Sequence, residues 1–263
     1  MEFNAQTTQL DRLDSAQRAA WVEDGFLIAR QLFSTDEIAV LRERARAELR
    51  GAAVLEKADA QGNVTKLKMW NSAGDDVYGA FCRNQRMVDL AGGLLGEDIY
   101  LYSHKMTMKE PKVGGAWEWH QDYGYWHEYG CLAPDLLSIM VAVDAADREN
   151  GCLQVLTGSQ RLGRLTHLRQ GEQTVTDRER VEQALKRFPL LPVELAAGDA
   201  VVFHCNLLHA SDPNRSEQPR WAYICSYNTV ANAPYKRVRD YGNYEPLVPV
   251  PRSSILAAAA ARP

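Results

Sequence analysis

The sequence has no long hydrophobic run, and no segment approaches the roughly 18 apolar residues that a membrane-spanning helix needs. Its first residues lack the basic and apolar pattern of a secretory signal. The 30 basic residues are scattered among 34 acidic ones, for a formal charge of -4, and form no basic stripe of the kind that binds a phosphate backbone. We therefore expect a cytoplasmic protein that binds neither membranes nor nucleic acid.

Cysteine is scarce, and no two cysteines form the C-x-x-C pair that would indicate zinc binding or redox chemistry. Free cysteine in apolar surroundings usually behaves as a small buried hydrophobe. We expect reduced, structural thiols without catalytic chemistry at the five positions, which are Cys82, Cys131, Cys152, Cys205 and Cys225.

The first 97 residues combine helices with short strands. Ser34 and Glu37 form a capping-box pattern ahead of apolar residues at helical spacing, which predicts a helix over about 35–50. The same region has the patterns of a helix at 15–24, a strand at 26–30, a loop or weak hairpin at 51–66 and a helix at 81–96.

From residue 98 to about 230, short β-rich runs alternate with turn residues, apart from one helical pattern at 176–188. Several short strands at regular spacing indicate an antiparallel sandwich or jelly roll with a pocket at one mouth. The sequence therefore predicts a mostly β protein with flanking helices. We expect one domain over 1–263, in which a helical part (1–97) packs on a jelly-roll core (98–230) and a C-terminal segment (231–263) ends in a frayed alanine-rich tail.

The segment WEWHQDYGYWHEYG contains His120 and Asp122, which are separated by one residue. In a β-strand, residues i and i+2 project from the same face, so both side chains could converge on one ion. Two imidazoles and one carboxylate leave three positions of an octahedral Fe(II) open for a co-substrate and dioxygen. An H-x-D pair also occurs without a metal, so this interpretation depends on a second histidine.

Two downstream histidines compete for the third ligand position. His204 precedes Arg215 by eleven residues, and His209 precedes Arg220 by the same eleven. An arginine at that separation could bind the far carboxylate of 2-oxoglutarate through its planar fork. Arg215 lies in DPNRSEQP, which is typical of an exposed turn, whereas Arg220 opens the strand RWAYICSYN and can project into the barrel. We favour His209 with Arg220 and expect a structural role for His204.

Aromatic residues are dense around the H-x-D segment, as is typical of the wall of a small-molecule pocket, although Trp117 and Trp119 are equally consistent with plain core. The residues directly after the ligands would form a loop over the metal. We expect this loop to contact the substrate through Tyr123, Tyr125, Trp126 and His127.

The sequence resembles the phytanoyl-CoA dioxygenase family of Fe(II)/2-oxoglutarate oxygenases over nearly its whole length. The resemblance rests on HQD, NGCLxVLxGSxR and GDxxxFHxxLLHxSxxNxSxxxR in this order. It implies a double-stranded β-helix fold, with His120, Asp122 and His209 as iron ligands. It also implies that 2-oxoglutarate and dioxygen are consumed and that succinate and carbon dioxide are released.

The resemblance further implies which residues bind the co-substrate. Arg220 matches the residue that holds the 5-carboxylate, and Ser211 matches a hydroxyl that shares this task. Lys105 falls where a polar side chain reaches the oxo-acid end, Lys68 aligns with a lysine near the co-substrate, and Met140 aligns with an apolar residue that packs on it. Each lysine could also be a solvated charge, and Met140 could be plain core.

Family members that halogenate replace the aspartate by a small residue, so the presence of Asp122 favours hydroxylation or a related oxidation. The family name suggests an acyl-CoA substrate. However, the best basic cluster for its phosphates, Lys236, Arg237 and Arg239, is equally explained as a solvated face. We favour a free small molecule, with an acyl-CoA hydroxylase as the alternative. Two further alternatives are a non-catalytic metal-binding jelly-roll sensor or binding module, and a cupin-like oxygenase that does not use 2-oxoglutarate.

Overall fold

The computed structural model describes residues 6–8, 13–96, 98–236, 244 and 246–260. The strands within these residues are β1 (Gln6–Thr8), β2 (Phe26–Arg30), β3 (Leu55–Ala58), β4 (Val64–Trp70), β5 (Ile99–Lys109), β6 (Trp117–His120), β7 (Leu136–Ala142), β8 (Leu153–Leu156), β9 (His167–Gln170), β10 (Gln173–Thr176), β11 (Leu190–Val193), β12 (Ala200–His204), β13 (His209–Ser211) and β14 (Arg220–Thr229). The α-helices are α1 (Ser15–Asp24), α2 (Thr35–Leu49), α3 (Val77–Cys82), α4 (Gln85–Leu95), α5 (Asp122–Glu128), α6 (Arg178–Leu185) and α7 (Ser254–Ala260).

Two sheets form the core of the fold. The larger sheet has the order β1-β2-β12-β7-β14-β5-β4-β3, and the smaller has the order β11-β8-β13-β6, while β9 and β10 form a separate hairpin. Among the described strands, all pairings are antiparallel except that of β1 with β2. The predicted fold class, a mostly β jelly roll with flanking helices, is confirmed.

The larger sheet is buried on both faces, which explains why its central strands β7 and β14 are apolar throughout. On one face, Val141 and Tyr223 pack with Ile38 of α2 and Phe81 of α3. On the opposite face, side chains of the same strands, such as Ile224, pack with residues of the smaller sheet. Alternation along β14 therefore directs Arg220, Ala222, Ile224 and Ser226 towards the space between the sheets.

The predicted capping box begins α2. The Ser34 hydroxyl accepts a hydrogen bond from the Glu37 backbone N–H (3.3 Å), and the Glu37 carboxylate accepts one from the Ser34 N–H (2.8 Å). The same carboxylate also pairs with Arg86 of α4. The start of α2 is thus tied to a second helix on the outer face of the larger sheet.

Two N-terminal predictions need correction in detail. Residues 51–66 are part of a hairpin whose second strand, β4, continues to Trp70 and pairs with β5, so N-terminal strands also build the larger sheet. The helix predicted at 81–96 is two helices, because the Asn84 side chain accepts a hydrogen bond from the Arg86 N–H (3.2 Å) and starts α4 afresh.

The alanine-rich tail was expected to fray, but residues 254–260 form α7 and the Ile255 side chain is fully buried with α2 and α3 in the outer core. Ile255, together with the partly buried Ala258, thus supplies the apolar contact that fixes this helix. Residues 261–263 lie outside the described part. The five cysteines are buried and unpaired, as predicted. Within the described residues, every helix is too short or too polar to cross a lipid bilayer.

We predict that Ile255→Ala lowers the free energy of unfolding by about 2–5 kcal/mol, because it leaves a cavity in the core beneath α7. The matched control is Leu256→Ala in the same helix, where the side chain is 46% exposed and the expected change is within about 0.5 kcal/mol. Urea denaturation measures both variants. Equal losses would contradict the docking of α7 through Ile255.

Candidate metal centre

His120, Asp122 and His209 converge between the two sheets. His120 ends β6, His209 begins β13, and the two residues are direct partners in the smaller sheet. The Nε2 atoms of both imidazoles lie 3.9 Å from Oδ1 of Asp122. All three side chains are buried, and one ligand atom from each lies within 4.8 Å of the others. This spacing allows one ion to bind all three residues.

The H-x-D pair does not lie on one strand as predicted, because β6 ends at His120 and Asp122 is the first residue of α5. The two ligands converge through a strand-to-helix turn instead. The fully buried Gln121 between them holds this turn, and sequence reasoning missed it. Its side chain donates to the carbonyls of Gly163 (2.8 Å) and Asn206 (2.7 Å) and accepts from the Leu165 N–H (2.7 Å), while its backbone N–H donates to His167 Nε2 (2.9 Å).

Hydrogen bonds fix the tautomer of both imidazoles. Nδ1 of His120 lies 2.8 Å from the Glu118 carbonyl, and Nδ1 of His209 lies 2.9 Å from the Leu207 carbonyl. Because a carbonyl only accepts, each Nδ1 carries the proton, and the Nε2 lone pair is available to a metal. Burial lowers the pKa of both histidines, which favours the neutral form that ligates.

The Asp122 carboxylate is oriented by two hydroxyls. Ser138 donates to Oδ2 (2.8 Å) and Tyr125 donates to Oδ1 (2.7 Å), the oxygen that faces both histidines. Burial alone would raise the pKa of Asp122, but Lys105, the two imidazoles and the Tyr125 hydroxyl together lower it to about 2. The ionised carboxylate and two neutral imidazoles suit a divalent ion such as Fe(II) and leave three coordination positions free.

Ser138 is a site residue that sequence reasoning missed. Because ionised Asp122 can only accept, the Ser138 hydroxyl donates to it, and Ser138 in turn accepts from Ser226 (3.0 Å). Both serines interrupt apolar strands, in SIMVAVD and YICSYN. A hydroxyl at an inward position of such a strand needs a polar partner, and this was the available signal.

A cavity extends from the metal ligands to Arg220. The buried Arg220 uses Nε (3.1 Å) and Nη2 (2.7 Å) to donate to the Gly151 carbonyl. Its other guanidinium N–H groups have no acceptor among the described residues, and Arg220 lines the cavity. Burial lowers its pKa to about 10, which still leaves a cation at neutral pH. Arg220 can therefore bind an anion in the cavity.

Lys109, opposite Arg220 in the larger sheet, was missed from the sequence although it lies four residues after Lys105 on the same face of β5. Only 1% of Lys109 is exposed, and its ammonium donates to Ser211 Oγ (2.8 Å) and to the carbonyls of Ser211 and Asp212. Burial and the charge of Arg220 lower its pKa, whereas three acceptors favour the protonated form, which we take as the state in the folded protein. Since Ser211 Oγ accepts from Lys109, its own proton is free to be donated into the cavity.

The other predicted co-substrate residues lie in different environments. Lys105 lines the cavity. Lys68 does not reach it, because Lys68 pairs with Met106, and side chains at these positions lie on the helix-covered face of the sheet. Met140 is buried beside Ile224, which lines the cavity.

Of the four predicted substrate-contacting residues, only Tyr125 contacts a metal ligand. The segment is helix α5 rather than a loop, so residues three apart, Asp122 and Tyr125, share a face. Tyr123 instead donates to the Leu132 carbonyl (2.7 Å), and Trp126 packs on Tyr102 with ring centroids 5.3 Å apart. His127 is half-exposed, with Nδ1 3.7 Å from Oε1 of Glu128.

The competing pair, His204 and Arg215, is not brought to the cavity. Nδ1 of His204 accepts a hydrogen bond from the Asn206 backbone N–H (3.0 Å), and its ring lies 5.8 Å from that of Trp21. Arg215 is exposed in the turn after β13. The cluster of possible ligands contains His209, while His204 has the contacts of a structural histidine.

We predict that Ser138→Ala weakens metal binding roughly 10- to 100-fold, the usual effect of removing a hydrogen-bond partner of a ligand. The measurement is competition for Fe(II) with a calibrated chelator. Ser226→Ala is the matched control, because Ser226 reaches Asp122 only through Ser138 and should have a much smaller effect. An unchanged affinity in Ser138→Ala would contradict this role of Ser138.

His204 should make the fold sensitive to acid, because burial lowers its pKa to about 4. As pH falls through about 6.5, His204 takes up a proton in the unfolded chain but stays neutral in the folded chain. The stability that the neutral, buried His204 contributes is therefore fully present above about pH 6.5 and is lost as pH falls towards 4. Between pH 7 and pH 5 this linkage costs about 2 kcal/mol. We expect urea denaturation of the metal-free proteins to show that the free energy of unfolding falls less between pH 7 and pH 5 in His204→Asn than in the unsubstituted protein, by this amount. An identical pH dependence of stability in both proteins would refute the assignment.

Comparison with known proteins supports one family. The family model for phytanoyl-CoA dioxygenase (PhyH) matches residues 21–222. The chain is 34% identical over 237 residues to the L-proline trans-4-hydroxylase of Streptomyces griseoviridis, covering 82% of this chain and 87% of that protein. It is 28% identical over 236 residues to the ectoine dioxygenase of Sphingopyxis alaskensis, covering 84% and 77% respectively.

Solved structures agree with this result. The fold is similar to the crystal structure of EctD from S. alaskensis with bound Fe, with a TM-score of 0.78 and 26% identity over 91% of this chain and 88% of that one. The epimerase SnoN from nogalamycin biosynthesis, at 20% identity, shares the fold with a TM-score of 0.73 over 88% and 92% of the two chains. Since the family model covers most of the sequence and a relative above 30% identity matches four fifths of it, this chain belongs to the phytanoyl-CoA dioxygenase family.

Proposed function

We propose that this protein is an Fe(II)- and 2-oxoglutarate-dependent dioxygenase that hydroxylates an aliphatic C–H bond of a free small molecule and releases succinate and carbon dioxide. One observation carries the proposal. A buried cavity has a complete His-Asp-His ligand set near one end and the cation of Arg220 at the other, so a dicarboxylate can bridge metal and guanidinium.

In this proposal, His120, Asp122 and His209 hold the iron, which supplies the centre where 2-oxoglutarate, dioxygen and the reacting carbon meet. Arg220 and the Ser211 hydroxyl bind the far carboxylate, and Lys109 keeps Ser211 oriented as a donor. Because these groups are buried, they bind the carboxylate in a low-dielectric environment, where charge-assisted hydrogen bonds are strong.

Hydroxylation is favoured over halogenation because Asp122 is retained and its carboxylate is already oriented by Ser138 and Tyr125. Sensor and binding-module alternatives predict the loss of a ligand or of the arginine, and neither residue type is lost here. A cupin-like oxygenase that does not use 2-oxoglutarate would leave the remaining N–H groups of the buried Arg220 without a hydrogen-bond acceptor in the cavity.

A free small molecule is favoured over an acyl-CoA. Two relatives are named for L-proline and ectoine, which are compact molecules without a nucleotide. Lys236, one of the candidate phosphate ligands, donates to the Glu128 carbonyl (3.2 Å), while Arg237 and Arg239 lie outside the described residues. We further propose that the chain is one cytoplasmic domain, in keeping with strands from both halves of the sequence sharing the larger sheet.

We predict that Arg220→Gln raises the Kd of 2-oxoglutarate roughly 10- to 100-fold, because hydrogen bonds to charged groups contribute about 1.5–3 kcal/mol. The measurement is an anaerobic titration of Fe(II)-loaded protein, followed by its visible absorbance, with Tm recorded to verify folding. Arg215→Gln is the matched control and should bind 2-oxoglutarate like the original protein, because Arg215 is exposed outside the cavity.

Iron- and dioxygen-dependent succinate formation from 2-oxoglutarate is the direct test of the activity. Fully iron-loaded protein that neither binds 2-oxoglutarate nor forms succinate with any added compound would refute the proposed function. An effect of Arg215→Gln without an effect of Arg220→Gln would instead refute only the choice of arginine.

A further inference from the structure

The residues that line the cavity give it a net positive charge, which remains when the charges of iron and 2-oxoglutarate are added. Apart from the two histidines, its ionisable lining groups among the described residues are Lys105, Lys109, Arg220 and Asp122, three cations and one carboxylate, or +2 in total. Fe(II) would bring this to +4, and the two carboxylates of 2-oxoglutarate would return it to +2. Asp59 and Asp212 near Lys109, and Asp144 near Arg220, offset part of the positive charge at that end of the cavity. Positive charge in a partly buried site is costly, so a second anion is favoured at the other end, beside Lys105 and the metal site.

Of the three lining cations, Lys105 is the one without a hydrogen bond or ion pair among the described residues. Lys109 donates to three oxygens and Arg220 to the Gly151 carbonyl, and both are buried. The Lys105 ammonium has no hydrogen bond or ion pair with a described residue, and its side chain is half-buried. It is therefore available to a second molecule when the fully buried end of the cavity, around Lys109 and Arg220, is occupied.

Lys105 also lies close to the metal ligands. Along β5, Lys109, Thr107 and Lys105 face the cavity in that order, so Lys105 is the one farthest from Arg220. Burial raises the pKa of Asp122, and the charge of Lys105 is the largest of the influences that lower it. Half-buried Trp117, whose ring centroid is 6.2 Å from that of His120, forms an apolar wall of the same cavity.

We propose that Lys105 binds a carboxylate of the substrate, and that the substrate is a small carboxylic acid, free amino acids included, oxidised at a carbon within a few bonds of that carboxylate. The inference rests on the proposed function and names the substrate class for the same site. Lys105 then determines specificity, whereas Arg220, Ser211 and Lys109 serve the co-substrate. The apolar part of the acid packs on Trp117 and Leu67, which line the cavity.

The alternative is that Lys105 contacts 2-oxoglutarate. That role would make the affinity for 2-oxoglutarate, measured without substrate, depend on Lys105. The inference requires the opposite, namely that the change appears in the KM of the acid and not in the Kd of 2-oxoglutarate. The two roles are therefore separated by a binding measurement that needs no turnover.

The experiment uses iron-loaded full-length protein and a panel of matched acid and amide pairs, including L-proline and L-prolinamide, L-pipecolate and its amide, and further free amino acids with their amides. Succinate formation above the rate without added compound identifies substrates. We expect only acids to stimulate it. Lys105→Met should raise the KM of an active acid roughly 10- to 100-fold, Lys105→Arg should restore most of the loss, and the Kd of 2-oxoglutarate should be unchanged in the anaerobic titration.

Lys66→Met is the matched control, because Lys66 is a half-buried lysine on the neighbouring strand β4, pairs with Met108 and lies on the other face of the sheet. Preferential stimulation by amides, stimulation by no acid, or a parallel loss of 2-oxoglutarate affinity in Lys105→Met would each overturn the inference. Protein that shows no binding of 2-oxoglutarate at all would refute the proposed function instead.

Discussion

The buried, ionised carboxylate of Asp122 is the constraint on which the centre of this molecule depends. Removing such a charge from water costs several kcal/mol unless hydrogen bonds and opposite charges offset the loss. Here the compensating groups come from separate elements: Ser138 and the ammonium of Lys105 from the larger sheet, and Tyr125 from α5, which follows β6 of the smaller sheet. The position of Asp122 therefore requires both sheets and the helix to assemble correctly around one group.

Patterns of type and spacing in the sequence predicted the architecture, and with the family resemblance they predicted the three candidate metal ligands that the structure brings together. Three features can be predicted from neighbouring residues or from a single spacing. They are the capping box of α2, the short apolar strands and the spacing between His209 and Arg220. The choice of His209 over His204 followed from a turn in DPNRSEQP, a feature that is local in sequence. Such features can be predicted from the sequence because they depend little on contacts between distant residues.

Other features depended on contacts between distant residues, and the sequence could not provide them. Whether Tyr123 or Tyr125 faces the ligands depends on whether the segment is a helix or a loop, and seven residues carry little periodicity. Lys68 and Lys105 belong to neighbouring strands, and only the register of β4 on β5 shows that they lie on opposite faces. Gln121 became recognisable only through partners found elsewhere in the chain, and the hydroxyl of Ser138 in an apolar strand indicated a polar partner without identifying it.

The cavity joins a fully buried end, called here the closed end, to a half-buried end, called here the open end, and the two are built differently. At the closed end, Lys109, Ser211 and Arg220 are fixed to one another or to backbone carbonyls, so a substitution there disturbs several contacts at once. At the open end, Lys105 and Trp117 come from different strands, β5 and β6, and no hydrogen bond links either side chain to another described residue. Natural variation can therefore change the molecule that is oxidised without changing the chemistry that oxidises it, and a laboratory search for new substrates would start at these two positions.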